Sequence, residues 1–165
     1  MSTSNPDVGQ FPTPEIISLW RFITETLDRF AAVASEGPDA ALHWAPPAAE
    51  ANSIAVLLVH TLGNVEEQVI EVVGGEPVHR QREAEFIEGD FTGAQLAGRW
   101  QALRPRLEQA LGGIDPAELD RERSHPRRGV ITGREALLLA IRHAGEHLGQ
   151  SELTRDLWRA AHPNA

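Results

Sequence analysis

The sequence predicts an all-α fold, a four-helix bundle with long connections between its helices. Apolar residues recur at three- and four-residue steps along four segments of roughly 20 residues, the period of amphipathic helices. Glycines and prolines separate these segments. Because no segment shows sustained period-two alternation, a sheet has little support, and at most residues 124–131 are expected to be extended.

The first two long helices have clear starts and stops. The first is predicted to begin at the N-cap Thr13, which precedes a proline and a glutamate, and to end before Gly37. The second is predicted to begin at Asn52 or Ser53 and to end before Gly74.

The other two long helices begin with capping boxes, Thr92 with Gln95 and Thr132 with Glu135. Pro105 lies inside the third helix and predicts a kink or a split there, because proline lacks the N–H that the helix needs. The fourth helix is predicted to continue to about Trp158.

Residues 1–12 are predicted to form a disordered or extended arm, and residues 13–160 a single bundle domain. The connections over residues 76–91 and 114–131 are long enough for a helix to cross the bundle. A simple up-down-up-down order is therefore not assured.

Composition excludes several chemistries. The 165 residues carry a formal charge of −9 and include no Cys, Lys or Tyr. Without Cys there is no disulfide, thiolate nucleophile or cysteine-ligated metal, and without Lys there is no Schiff base. The acidic balance argues against nucleic acid as a partner, since binding to phosphates needs a basic face.

Hydropathy indicates a soluble cytoplasmic protein. No stretch of 18 or more apolar residues is present, so no membrane partner is expected. The first 12 residues lack the apolar core of a secretory signal.

One pair among the seven histidines has an informative spacing. His143 and His147 lie four residues apart on the fourth predicted helix, so both imidazoles leave the same face one turn apart. Two neutral imidazoles so placed can hold a divalent cation. The small neighbours Ala136, Ala140 and Ser151 would leave a hollow in front of them. The alternative is two core histidines that are hydrogen-bonded to backbone or solvent.

The second predicted helix supplies a candidate third ligand. His60, Asn64, Glu67 and Glu71 form a polar stripe at helical spacing. Such a stripe can face solvent, or it can line a water-filled cleft against another helix. If His60 faces the histidine pair, three nitrogens surround one site with open positions, the composition of a catalytic metal site.

Other motifs have weaker support. Residues 143–147 also match the H-x-x-E-H pattern of inverted zinc proteases, but Glu146 projects away from the histidine pair. Two Glu-x-x-His spacings typical of di-iron bundles, at 76–79 and 122–125, lie beside prolines in predicted loops. No G-x-S-x-G motif supports a serine hydrolase, and the four tryptophans are expected to be core anchors.

The order and spacing of several short segments resemble the DinB-like (DinB/YfiT) superfamily of metal-binding four-helix bundles. The resemblance covers residues 42–158 and rests on the following stretches: Leu42-His43-Trp44-Ala45-Pro46, Ser53-Ile54, Leu57, His60, Glu67, Gly74-Gly75-Glu76-Pro77, Arg80, Arg82, Glu85-Phe86 and the closing His143-Ala144-Gly145-Glu146-His147-Leu148-Gly149-Gln150.

This resemblance implies a triad of His60, His143 and His147 around one divalent ion, usually zinc or nickel, in a bundle whose connections are not simple hairpins. It also implies a homodimer. Members with known activity include thiol-dependent S-transferases and a mycothiol-dependent isomerase.

We therefore expect a metal-dependent transferase that activates a low-molecular-weight thiol for attack on an electrophilic substrate. Asn64 and Glu67 are candidates for positioning or proton transfer, and Arg80 or Arg82 for holding a substrate carboxylate. Two alternatives stay open, a metal-dependent hydrolase that uses metal-bound water and a non-catalytic metal-binding or stress-response bundle.

Overall fold

A computed structural model of the chain describes residues 11–87 and 89–163. Its helices are α1 (Pro14–Ser35), α2 (Asp39–His43), α3 (Ile54–Glu66), α4 (Gly93–Gly112) and α5 (Gly133–Ala161). Helix α3 continues without a break into a π-helical segment, Glu67–Val73. Short 3₁₀ helices span Arg82–Phe86 and Pro116–Leu119, and two short strands, β1 (Glu122–His125) and β2 (Gly129–Thr132), form an antiparallel hairpin.

The predicted N-caps are confirmed. The side chains of Thr13, Ser53, Thr92 and Thr132 each accept a hydrogen bond from the backbone N–H three residues further on. Both predicted capping boxes are also present, because the partner side chains at the third helical position return a bond to the N-cap backbone. The local sequence therefore sets where the four long helices begin.

The predicted split of the third helix at Pro105 does not occur, since α4 runs unbroken from Gly93 to Gly112. Pro105 has no N–H, so the carbonyl of Gln101 loses its helical hydrogen bond. Both residues lie on the exposed side of α4. Water can hydrate that carbonyl, so the missing hydrogen bond does not interrupt the helix.

The fold differs from the prediction in two further places. The second helix was predicted as one regular run, but its last two turns are π-helical, with a backbone bond from Gly74 N–H back to the carbonyl of Val69. The stretch expected to be at most extended, residues 124–131, contributes to the β1–β2 hairpin.

Helix α1 packs mainly against α4 and α5, and α3 also packs mainly against α4 and α5. Helices α1 and α3 are thus diagonal neighbours, although they follow each other among the long helices. The expected departure from simple up-down order is therefore present. No helix in the described part of the chain is long and apolar enough to span a membrane.

The core lies between these four helices. Trp20 and Trp100 are fully enclosed, Trp158 is buried near the end of α5, and Trp44 is half-buried. Phe11 packs against Trp20, with ring centroids 5.8 Å apart. The rest of the predicted N-terminal arm, residues 1–10, lies outside the described residues.

Candidate metal centre and its cavity

Three imidazoles from two helices meet at one point. Helix α3 supplies His60, and α5 supplies His143 and His147. His143 Nε2 lies 3.0 Å from His60 Nε2 and 3.2 Å from His147 Nε2. Zinc–nitrogen bonds of about 2.0–2.1 Å at tetrahedral angles place two ligand nitrogens about 3.3 Å apart, so these separations fit one shared ion.

The other ring nitrogens of the two outer histidines face acceptors. His60 Nδ1 lies 2.8 Å from Glu85 Oε2, and His147 Nδ1 lies 2.7 Å from Gln150 Oε1. Because a carboxylate oxygen and an amide oxygen only accept, both Nδ1 atoms carry the proton and donate it. The Nε2 atoms of His60 and His147 therefore carry no proton and can bind a cation. Histidines that bind metal ions in proteins commonly donate their other ring N–H to an acceptor in this way.

Burial keeps the pair on α5 neutral. Desolvation, with further contributions from His147, His60 and Arg80, lowers the pKa of His143 to about 3. Burial also lowers the pKa of His147, against a smaller opposing effect of its bond to Gln150. Neutral imidazoles are the form in which histidine binds a metal ion.

Arg80 holds the Glu85 carboxylate in place behind His60. Its Nε donates to Glu85 Oε1 at 2.6 Å, and its Nη2 donates to Glu85 Oε2 at 2.7 Å and to the His60 carbonyl at 3.2 Å. Although burial acts to raise it, the bonds from His60 and Arg80 leave the pKa of Glu85 below its ordinary value. Gly63 gives this pair its space, since a Cβ there would lie 2.3 Å from Glu85 Oε1.

A cavity of about 400 Å³ opens beside His60 and His143. Side chains from α3, the π-helical segment, the residues around 80, the β1–β2 hairpin and α5 line it. These are His60, Asn64, Gln68, Arg80, Arg82, His125, Arg127, Arg128, Leu139, Arg142 and His143.

The structure brings three of the four predicted auxiliary residues to this cavity. Asn64, Arg80 and Arg82 line it, but Glu67 does not. Glu67 is 2% exposed and lies behind the cavity wall, where Arg127 donates to both of its oxygens, at 3.1 Å to Oε2, and Arg80 Nη1 lies 3.6 Å from Oε1. Its catalytic role and that of Asn64 stay predictions, as do the substrate-binding roles of the two arginines.

Glu67 belongs to a second buried polar cluster, built where the π-helical segment meets the hairpin. His125 is 4% exposed and Gln68 is 1% exposed. His125 Nδ1 accepts from the Arg127 backbone N–H at 3.0 Å, and its Nε2 lies 2.9 Å from the Gln68 amide. Burial lowers the pKa of His125, although Glu67 opposes the effect.

Sequence reasoning assigned no role to several residues of the site. Glu85 and Gln150 stood only within the stretches that carry the resemblance, and nothing local indicated that they would face histidine rings. Gln68, His125, Arg127, Arg128 and Arg142 come to the cavity through the π-helical turn, the hairpin and the packing of α5. The pattern H-x-x-x-H-x-x-Q was the one usable local signal, since it places Gln150 one turn after His147.

The competing motifs do not assemble a site. Glu146 lies on the exposed side of α5 and pairs with Arg142 at 3.5 Å. Glu76 and His79 are exposed in the connection after the π-helical segment, and His79 has a φ of 52°. Within residues 11–87 and 89–163, the three-histidine group is the one cluster whose histidine and carboxylate atoms are close enough to share a metal ion.

The fold and the site together define a helical bundle with a three-histidine centre that can hold a metal ion. The chain belongs to the DinB superfamily, whose family model matches residues 23–151.

Solved structures agree on the fold. The crystal structure of a conserved protein from Enterococcus faecalis superposes with a TM-score of 0.65 at 19% identity, over 85% of this chain and 94% of that chain. No curated protein matches the chain at a significant level.

Proposed function

We propose that this protein is a divalent-metal-dependent transferase that activates a small thiol for attack on an electrophilic substrate. The observation that carries the proposal is the convergence of His60, His143 and His147 through Nε2, with Glu85 and Gln150 fixing the outer two rings. An array of neutral imidazoles leaves the charge of zinc or nickel intact, and the bound ion would lower the pKa of a thiol at its open position.

The surroundings favour a thiol and an electrophile over hydrolysis. The cavity of about 400 Å³ is within the size range of small-molecule sites. The lining residues include no carboxylate, so a hydrolase that activates water with a carboxylate base has no candidate in the cavity wall. Glu67 and Glu85, the nearest carboxylates behind the wall, both accept hydrogen bonds from arginines. With no Cys in the chain, the thiol comes from a cosubstrate.

The residues of the cavity then have defined tasks. Asn64, one turn beyond His60, lines the cavity, and in this proposal its amide orients a reactant by hydrogen bonds. Arg80 is fixed by Glu85, so it keeps the His60 ring in position as well as contributing positive charge to the wall. The homodimer and the cytoplasmic location stay predictions.

Metal analysis of protein purified without a nickel column tests the centre. We expect about one equivalent of zinc or nickel in the native protein, lost in each of His60→Ala, His143→Ala and His147→Ala. The matched control is His79→Asn, because His79 is exposed and asparagine tolerates its positive φ. Native protein that binds no metal, or triad variants that keep it, would contradict the proposal.

Turnover assays then separate the remaining alternatives. The transferase predicts that a small thiol reacts with a chromogenic aryl halide faster in the presence of the metal-loaded protein, and that His147→Ala abolishes this gain. Cleavage of a nitrophenyl ester without thiol would instead indicate the hydrolase. A metal-loaded protein inactive in both assays would favour a non-catalytic metal-binding bundle.

A further inference from the structure

The cavity beside the three histidines has a charge opposite to that of the whole protein. The chain carries a formal charge of −9, yet five of the eleven residues that line the cavity are arginines and none is an aspartate or glutamate. Arginines are costly to gather, because like charges repel and each guanidinium must find hydrogen-bond partners. The concentration of five arginines at one cavity therefore indicates that the cavity binds a negatively charged ligand.

Carboxylates outside the cavity offset only part of this charge. Glu67 and Glu85 hold Arg80 and Arg127, and Glu146 pairs with Arg142 on the surface of α5. Three negative charges thus face five positive ones.

The two arginines left over are Arg82 and Arg128, which form no ion pair with any carboxylate in the described part of the chain. Arg82 packs over the ring of Phe86 at 5.0 Å, which holds its guanidinium without neutralising it. Arg128 lies in the turn of the β1–β2 hairpin, on the neighbouring wall.

Buried polar atoms around the cavity also lack partners. Among the described residues, Asn64 Oδ1 and Arg80 Nη1 are buried and make no hydrogen bond. Both side chains line the cavity, and the Arg80 side chain is 4% exposed. A buried polar atom without a hydrogen-bond partner is unfavourable, so a polar ligand, or the water that this ligand displaces, is expected beside these atoms.

We propose that the cavity binds a small substrate that carries two negative charges, through Arg82 and Arg128, next to the metal centre. Guanidinium groups pair with carboxylate and phosphate oxygens through two parallel hydrogen bonds, so both a dicarboxylate and a phosphate monoester have the required chemistry. The reaction in which the substrate takes part rests on the proposed function, whereas its binding rests on the arginines.

Titration calorimetry at low ionic strength tests the binding with succinate, inorganic phosphate and the neutral succinamide. We expect succinate or phosphate to bind the metal-loaded protein and succinamide not to bind. Arg82→Gln and Arg128→Gln should each weaken the binding roughly tenfold or more, as loss of a charged hydrogen-bond pair does. Tighter binding of succinate points to a dicarboxylate substrate and tighter binding of phosphate to a phosphate ester.

Arg121→Gln is the matched control, since Arg121 precedes the same hairpin, its side chain is 66% exposed and it does not line the cavity. It should bind the probes as the native protein does. Equal binding of succinate and succinamide, no binding of either anion, or native binding by both cavity variants would overturn the inference.

The metal-free His147→Ala variant separates this inference from the proposed function. Succinate or phosphate binding that survives in this variant supports the arginine site even if no thiol transfer is ever detected. Binding that vanishes in His147→Ala and is unchanged in the arginine variants shows an anion held by the metal alone, which overturns the inference and leaves the transferase proposal standing.

Discussion

Glu85 Oε2 lies 2.8 Å from Nδ1 of His60, a residue 25 positions earlier in the chain. The contact joins the 3₁₀ helix after the π-helical segment to the middle of α3. Because the carboxylate only accepts, it fixes which ring nitrogen of His60 carries the proton and how the ring is turned. The candidate metal centre therefore depends on a residue that would contribute no ligand to it.

We predict that Glu85→Gln weakens zinc binding about 10- to 100-fold, the usual cost of changing a group behind a metal ligand. The amide oxygen can still accept from His60 Nδ1, but the substitution removes the negative charge that strengthens this bond and holds Arg80. Competition against a chromogenic chelator measures the affinity. Glu83→Gln is the control, since Glu83 lies exposed in the same short helix; equal zinc affinity in both variants would refute the positioning role.

We predict that Gly63→Ala also weakens zinc binding. The added methyl would lie 2.3 Å from Glu85 Oε1 and 3.2 Å from Arg80 Nε, so the ion pair behind His60 has to shift. Gly98→Ala on α4 is the control, because nothing lies within 4 Å of its Cβ position. That control should leave zinc affinity unchanged and stabilise its helix by up to about 1 kcal/mol in chemical denaturation. Native zinc affinity in Gly63→Ala would show that the Glu85–Arg80 pair can accommodate the methyl group without disturbing His60.

We predict that Glu67→Gln lowers the free energy of unfolding by about 3 kcal/mol, as breaking a buried ion pair from one side does. Glu67 is 2% exposed, and its loss leaves the side chain of Arg80, 4% exposed, with one fewer carboxylate. Urea denaturation measures the change. Glu66→Gln is the matched control, since its partner Arg106 is 53% exposed and such pairs contribute about 0–1 kcal/mol. A stable Glu67→Gln variant without activity would instead favour the catalytic role.

We predict that the metal-free protein loses stability as the pH falls from about 6.5 to about 4.5. Burial lowers the pKa of His125 and His147 and brings that of His143 to about 3 in the folded state. In the unfolded chain these histidines take up protons below about pH 6.5. The unfolded state then binds more protons, so acid favours unfolding throughout this window.

Urea denaturation at several pH values measures this dependence, and the slope should correspond to uptake of at least one proton on unfolding. The measurement stops at about pH 4.5 because carboxylates titrate in stronger acid. The pKa values of Glu85 and Glu135 lie below the ordinary value, so their protonation causes a second loss of stability there. A flat profile between pH 6.5 and 4.5 would show that the folded histidines take up protons as readily as the unfolded ones.

The sequence by itself determined the four long helices and the face of the last one. Thr13, Ser53, Thr92 and Thr132 begin helices where predicted, because an N-cap bonds to a backbone N–H only three residues away. The spacing of the two histidines on α5 follows equally from the helical repeat. Such contacts depend on residues that are neighbours in the chain.

The tertiary structure alone decided how the site is completed. Glu85 reaches back to α3, Arg127 crosses from the hairpin to the π-helical segment, and Arg82 and Arg128 line one cavity. Glu67 belongs to a helical stripe that was expected to be polar and accessible, but in the folded protein it lies in a buried ion pair. These contacts join residues 25 or more positions apart, and no local pattern encodes them, because they arise only when packing of the apolar faces brings the helices and the hairpin together.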